Sequence, residues 1–212
     1  MSLALIPGAG GVGRAVFEQL RAHDVPVRFM VRRQDERAAE LKRLGAEVII
    51  GDLTQPETVA AALQGVTRMF FTMAVSPDHL LAATVVASVA KEYGHLEALV
   101  GLSQMTVSQM TATSTDESHQ QRLHWLAEQV LNWSGLPVVH VRPTVFLDTP
   151  MFTTGRPDQF STCSASQCSR CWCDSAVLVA VICDTVICDR STRASSFPYS
   201  FATEATTVAA SR

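Results

Sequence analysis

The sequence predicts an α/β protein whose βα units wind around a parallel sheet, and three observations carry that prediction. Short apolar runs alternate with longer amphipathic ones through the first 150 residues. A glycine-rich turn joins the first of these strands to the first helix. The composition also suits a buried core, because 47% hydrophobic and 17% charged residues with a net charge of −3 argue against a disordered chain and against a broad nucleic-acid footprint. At 212 residues the chain is long enough for one main domain.

The elements follow in order. Leu3 to Ile6 reads as a buried strand, and a helix from about Val12 to Ala22 turns Val16 and Leu20 toward the sheet. Pro26 to Val31 is the second strand. Asp35 to Leu44 places Ala38, Leu41 and Leu44 at helical spacing, with Gly45 as the stop. Glu47 to Ile50 is the third strand, and Pro56 opens a helix whose inner stripe is Val59, Ala62 and Leu63. Arg68 to Thr72 is the fourth strand, and Ser76-Pro77 opens a long helix to about Tyr93. Ala98 to Leu102 is the fifth strand, and residues 103–117 form a polar loop long enough to suggest a role in function. His119 to Trp133 is a helix ended by Ser134-Gly135, and Val138 to Val141 is a sixth strand running into Arg142-Pro143. Trp125, Trp133 and Phe146 lie in or beside amphipathic segments and are expected to pack rather than to stack on a ligand.

Gly8-Ala9-Gly10-Gly11-Val12-Gly13 is G-x-G-x-x-G between a strand and a helix, the setting that a dinucleotide fingerprint requires. Gly8 permits the tight turn, Gly10 lets backbone N–H groups approach a diphosphate, and Gly13 allows close packing of helix on strand. Gly11 and Val12 complete the loop. An NAD site usually carries an acidic residue ~20 residues further on, at the end of strand two. This chain has Arg32 and Arg33 there, and guanidinium groups at that place pair with a 2′-phosphate, so NADP(H) is expected over NAD(H). A solvated basic loop, with Asp35 or Glu36 reaching the ribose, is the other reading. Gly51-Asp52-Leu53 follows strand three, where Asp52 and Leu53 either contact the adenine or, for Asp52, cap the next helix.

The order of these parts resembles the NmrA-like group of atypical short-chain dehydrogenases/reductases. The matching pieces are GAGGVGRAV, VRFMVRR, GAEVIIGDLTQPETVAAALQGV, the loop TMAVSPD, LVGLSQMT and HWLAEQVLNWSGLPVVHVRPTVFLD, covering residues 3 to about 152. The resemblance implies a doubly wound Rossmann sheet in the order 3-2-1-4-5-6, with NADP(H) across the carboxyl ends of the strands and a cleft lined by Thr72, Met73, Ser103 and Gln104. Many relatives read G-x-x-G-x-x-G where this chain reads GAGGVG. Short-chain enzymes also use a Tyr-x-x-x-Lys pair on the helix after strand five, the lysine tuning the phenol that shuttles the proton. Gln120 and His124 occupy those places here, and glutamine does not titrate. Ser103 matches the family's cleft serine and is the candidate for bonding a substrate carbonyl; a loop hydroxyl bonded to backbone is the alternative. His124 is the candidate proton donor, and it lies four residues from Glu128 on one helical face, where a structural pair is the competing role. Arg142-Pro143 resembles the family's Arg-Pro step and is expected to fix the turn.

After Phe152 the resemblance stops and the composition changes with it. Residues 1–154 hold 17 leucines and residues 155–212 hold one, Leu178, while all six cysteines fall between Cys163 and Cys188. We therefore divide the chain into a Rossmann domain over residues 1–152 and a Cys/Ser/Thr-rich tail over residues 153–212, in which the substrate part of the fold is missing or replaced, as a shifted reading frame would produce. Cys168-x-x-Cys171 and Cys183-x4-Cys188 invite a zinc reading, but the spacing is irregular and the flanking turns lack glycine, so no metal is expected.

The amino terminus lacks a basic leader, and the most apolar late run, Ala176 to Cys183, is far short of the ~20 residues of a membrane span, so a cytoplasmic protein is expected. The resulting expectation is an NADP(H)-dependent reductase of quinone-like or azo-like small-molecule acceptors that works without a Tyr-Lys dyad. The alternative is a non-catalytic NADP(H) sensor that regulates a protein partner.

Overall fold

In the computed structural model, which describes residues 2–73, 76–115 and 118–143, the described strands form one parallel sheet in the order β3-β2-β1-β4-β5-β6. They are β1 (Leu3–Pro7), β2 (Val27–Val31), β3 (Glu47–Ile50), β4 (Val66–Phe71), β5 (Ala98–Leu102) and β6 (Val138–Val141). The helices between them are α1 (Gly11–Ala22), α2 (Glu36–Arg43), α3 (Pro56–Leu63), α4 (His79–Tyr93) and α5 (His119–Trp133). The strand order is the one the family resemblance implies. The tail and Phe146 lie outside the described residues.

Alternation along the strands sends side chains to two cores, one on each face of the sheet. On β1, Ala4 and Ile6 join Val16, Phe17 and Leu20 of α1 and Ala38 and Leu41 of α2. Leu5, between them, joins Val59 and Leu63 of α3, Val86 and Ala90 of α4, and Ala127 and Leu131 of α5. Phe17 meets Phe29 edge-on at 5.3 Å between ring centres, the geometry that ring quadrupoles favour. Each such side chain, taken out of water, contributes roughly 1.5–3 kcal/mol.

Local signals set the helix ends. The Asp35 carboxylate accepts from the Ala38 N–H at 3.0 Å and caps α2. Pro56 opens α3, Gly94 ends α4 at φ 71°, and Ser118 and Gln121 form a reciprocal capping box on α5. Two boundaries depart from the sequence expectation by more than one residue. Strand β4 begins at Val66, which is fully buried, and α4 begins at His79 rather than at Ser76. The polar loop after β5 contains a 3₁₀ turn, Met105–Gln109, anchored by the buried side chain of Val107, which the polar residues around it conceal. Trp133 does not pack as expected: it is 74% exposed, because α5 buries Ala127, Glu128 and Leu131 and position 133 falls on the outer face.

Because β1 and β4 are neighbours, the chain reverses its winding between them and leaves a crevice at the carboxyl ends of the strands. The glycine turn opens onto that edge, and Ser103 lies buried beside it.

Candidate functional site

At the end of β1 the chain turns sharply. Gly8 has φ +86°, a conformation that side chains resist, and its N–H donates to the Met30 carbonyl at 2.9 Å, tying the turn to β2. A Cβ on Gly13 would lie 2.7 Å from the Gly8 carbonyl oxygen and 3.3 Å from Ile6 Cγ2, so helix and turn touch through main chain. A Cβ on Gly10 or Gly11 would meet nothing within 4 Å. Val12 is half-buried against the α1-side core. Gly10 is the N-cap of α1, with no side-chain cap and no acidic residue in the first turn. The N–H groups at that end therefore face outward with the positive end of the helix dipole, a setting that favours an anion.

Beside this mouth lies a hollow of about 330 Å³ lined by Ala9, Gly10, Gly11, Arg14, Arg37, Glu40 and Leu41. Arg14 is held across it by Glu18 at 3.0 Å and Glu40 at 2.8 Å, and these partners raise its pKa. Arg32 and Arg33 follow β2 and are exposed, with Arg32 Nε 3.5 Å from Asp52 Oδ2. Asp35 is engaged as the α2 cap. Asp52 Oδ1 accepts from the Thr54 N–H at 2.9 Å and hydroxyl at 2.8 Å; these bonds, and then Arg32, hold the carboxylate below its ordinary pKa against the opposing effect of burial. The N-cap of α3 is Gln55, so Asp52 makes the turn before that helix and is not its cap. Leu53 is buried in the core with Met30 and Val59. Arg37 is a member of this site that no motif marks; only its place in the first turns of α2, after the two arginines, points to it.

The other end of the crevice is built from buried side chains. Thr72 and Met73 directly follow β4 and are half-buried. Ser103 follows β5; its N–H donates to the Val141 carbonyl at 2.8 Å, while its Oγ is buried without a partner among the described residues. Gln104 Nε2 is likewise buried and unpartnered among the described residues. His124 on α5 packs against His79, the first residue of α4, with ring centres 4.3 Å apart and planes tilted by 48°. His79 also lies 5.7 Å from the Phe71 ring and is 3% exposed. Burial first, and then the neighbouring His124, lowers His79 to a pKa of about 4. Burial lowers His124 as well, partly offset by Glu128. Both rings are thus neutral near pH 7.

Among the described residues His124 and Glu128 share no hydrogen bond or ion pair, although Glu128 acts on the ring through its charge. The Glu128 carboxylate is taken by Arg142, whose Nε donates at 3.0 Å and Nη2 at 2.6 Å. This fork joins α5 to the end of β6, and the turn beyond Pro143 that Arg142 is expected to fix lies outside the described residues. Gln120, in the first turn of α5, is half-buried. His79 is the second member of the site that sequence reasoning missed, since nothing in the local letters Pro77-Asp78-His79 distinguishes it from a helix start.

The geometry supports two functions: a loop able to receive a diphosphate, and a pocket of neutral imidazoles with a hydroxyl. Comparison with known proteins fits the first. A family model described as NAD(P)H-binding matches residues 8–170, reaching beyond the boundary expected at 152. An NAD(P)H azoreductase of Xenophilus azovorans is 28% identical over 149 residues, 68% of this chain and 48% of that protein. The photosystem II assembly factor Ycf39 of Trieres chinensis is 42% identical over 80 residues, 38% of this chain and 25% of the factor. The chain thus spans about half or less of these curated relatives. Among solved structures, Citrobacter sp. triphenylmethane reductase complexed with NADP(H) superposes with a TM-score of 0.59 at 23% identity, covering 70% of this chain and 51% of the reductase; that likeness is one of fold.

Proposed function

The chain belongs to the NAD(P)H-binding family, and from that premise we propose that it is a cytoplasmic reductase which uses NADP(H) in preference to NAD(H) and acts on flat quinone-like or azo-like acceptors. The observation that carries the proposal is the mouth of α1, where Gly10 and Gly11 leave the approach open and arginines gather beside it. The relative that is an azoreductase supports the acceptor class.

In this reading the N–H groups of Gly10, Gly11, Val12 and Gly13 hold the diphosphate, and Gly8 sets the turn that presents them. Arg32 and Arg33 hold the 2′-phosphate, with Arg37 nearby. Asp52 and the main chain at Leu53 border the adenine. When bound, the reduced nicotinamide nucleotide supplies a hydride. Thr72 and Met73 flank the place where that transfer occurs, and Ser103 orients the acceptor through its hydroxyl. His124, held neutral by burial, polarises the acceptor as an N–H donor, in the way a neutral histidine serves as electrophile elsewhere, and the net proton comes from solvent. A quinone reduced by two electrons is a weaker base than an alkoxide, so a tyrosine acid is dispensable.

A second reading is favoured by one residue. Gln120 stands where a short-chain enzyme has its tyrosine, and a sensor needs no acid. Titrating the full chain with NADPH and NADH, followed by stopped-flow mixing with a quinone, separates the two. A reductase oxidises bound NADPH, whereas NADPH that binds and never oxidises overturns the enzyme reading. Arg33→Ala is expected to weaken NADPH roughly tenfold or more, the worth of a charged hydrogen bond, and to leave NADH unchanged.

A further inference from the structure

A cavity of about 10 Å³ lies at the carboxyl ends of β4 and β5, and its polar lining comes from α4, β5, α5 and β6. Two of those polar groups are already engaged. Glu128 is forked onto Arg142, and His140 Nε2 lies 2.9 Å from Asn132 Oδ1. Three atoms remain: His79 Nδ1, His124 Nδ1 and Ser103 Oγ, all buried without a partner among the described residues. A buried polar atom with no partner is destabilising, and three together take a large part of a domain's margin. A water needs roughly 10–15 Å³ and 2–4 polar partners, and this cavity supplies both.

We propose that His79, His124 and Ser103 bind one ordered water that joins the two imidazoles to the serine hydroxyl, which makes His79 a positioning residue for His124. The bonds close without remainder. In the absence of an acceptor the water donates one hydrogen to each Nδ1 and accepts from the Ser103 hydroxyl, so every orphaned atom is satisfied once. Both rings then carry their proton on Nε2, because the hydrogen bond at one ring nitrogen fixes the tautomer at the other. Only neutral imidazoles accept in this way, in accord with burial among Phe71, Ala127 and Leu131. The water gives Ser103 and His124 a shared hydrogen-bond path that holds the His124 proton on Nε2, the atom that donates to an acceptor. This use of the water rests on the reductase reading; its binding does not.

Nitrogen-15 spectroscopy of the imidazoles in the full chain at neutral pH, without cofactor, tests it. His79 and His124 are both expected as the Nε2–H tautomer. Ser103→Ala is expected to shift both Nδ1 resonances, although Ser103 bonds to neither ring, and Ser103→Thr to restore them. An Nδ1–H tautomer in either ring, or Nδ1 resonances unmoved by Ser103→Ala, overturns the proposal. NADPH titration of the same samples reads the cofactor site separately, so either idea can fail while the other stands.

Discussion

The two ends of the crevice are made of different material. At the glycine turn, residues 8–13 offer main chain and open space, and the charges beside them are exposed. At the histidine end, side chains from separate elements meet in the interior, where one carboxylate, three imidazoles and a hydroxyl line one cavity. Main chain is kept in place by the turn itself and holds an anion through its dipoles, whatever packs around it. Enclosed polar groups depend on one another, so the loss of any one is felt by the rest.

That contrast can be broken most forcefully at Arg142. Replacing it by methionine strands the Glu128 carboxylate, 3% exposed, without its fork, and urea denaturation is expected to show a loss of about 3–5 kcal/mol. Arg14→Met, at the other end, removes pairs made at the surface and is expected to leave the midpoint almost unmoved.

Acid is the next lever. His79 titrates near 4 in the folded chain and near its ordinary 6.5 when unfolded, so between those values the unfolded state binds more protons. Stability is fully present above about pH 6.5 and falls toward pH 4, by on the order of 3 kcal/mol. Thermal melts across that window check the slope, and His79→Phe is expected to flatten it, because phenylalanine takes no proton. A wild-type melt independent of pH there would remove the enclosed-imidazole account.

The smallest effect sharpens the glycine end. Gly13→Ala drives a methyl into the Gly8 carbonyl, which is main chain and cannot swing aside, and is expected to cost about 1–3 kcal/mol together with NADPH affinity. Gly10→Ala meets nothing and is expected to cost no more than about 0.5 kcal/mol while still weakening NADPH. Equal destabilisation by both would contradict the open mouth.

The same difference explains what could be read from the letters. The strands, the helices and the glycine turn were legible because each is encoded locally: alternation, capping residues, and glycines at fixed offsets. The strand order came through resemblance to a family. His79, 45 residues from His124, left no local trace, since their contact depends on α4 lying against α5. Glu128 was read as a neighbour of His124 by helical spacing, and the helix does bring them close, but Arg142 arrives from β6 with a planar fork that suits the carboxylate. Asp52 was ambiguous for a related reason: a turn carboxylate and a helix cap look alike until the hydrogen bonds to Thr54 are seen.

Trp133 has an optical consequence. Its indole stands in water at the end of α5, so it emits toward the red and is open to collisional quenchers such as acrylamide, whereas Trp125 lies half-sheltered on the same helix. Trp133→Phe therefore removes a solvent-lit lamp at no cost to the interior and clears the background against which nucleotide binding is watched.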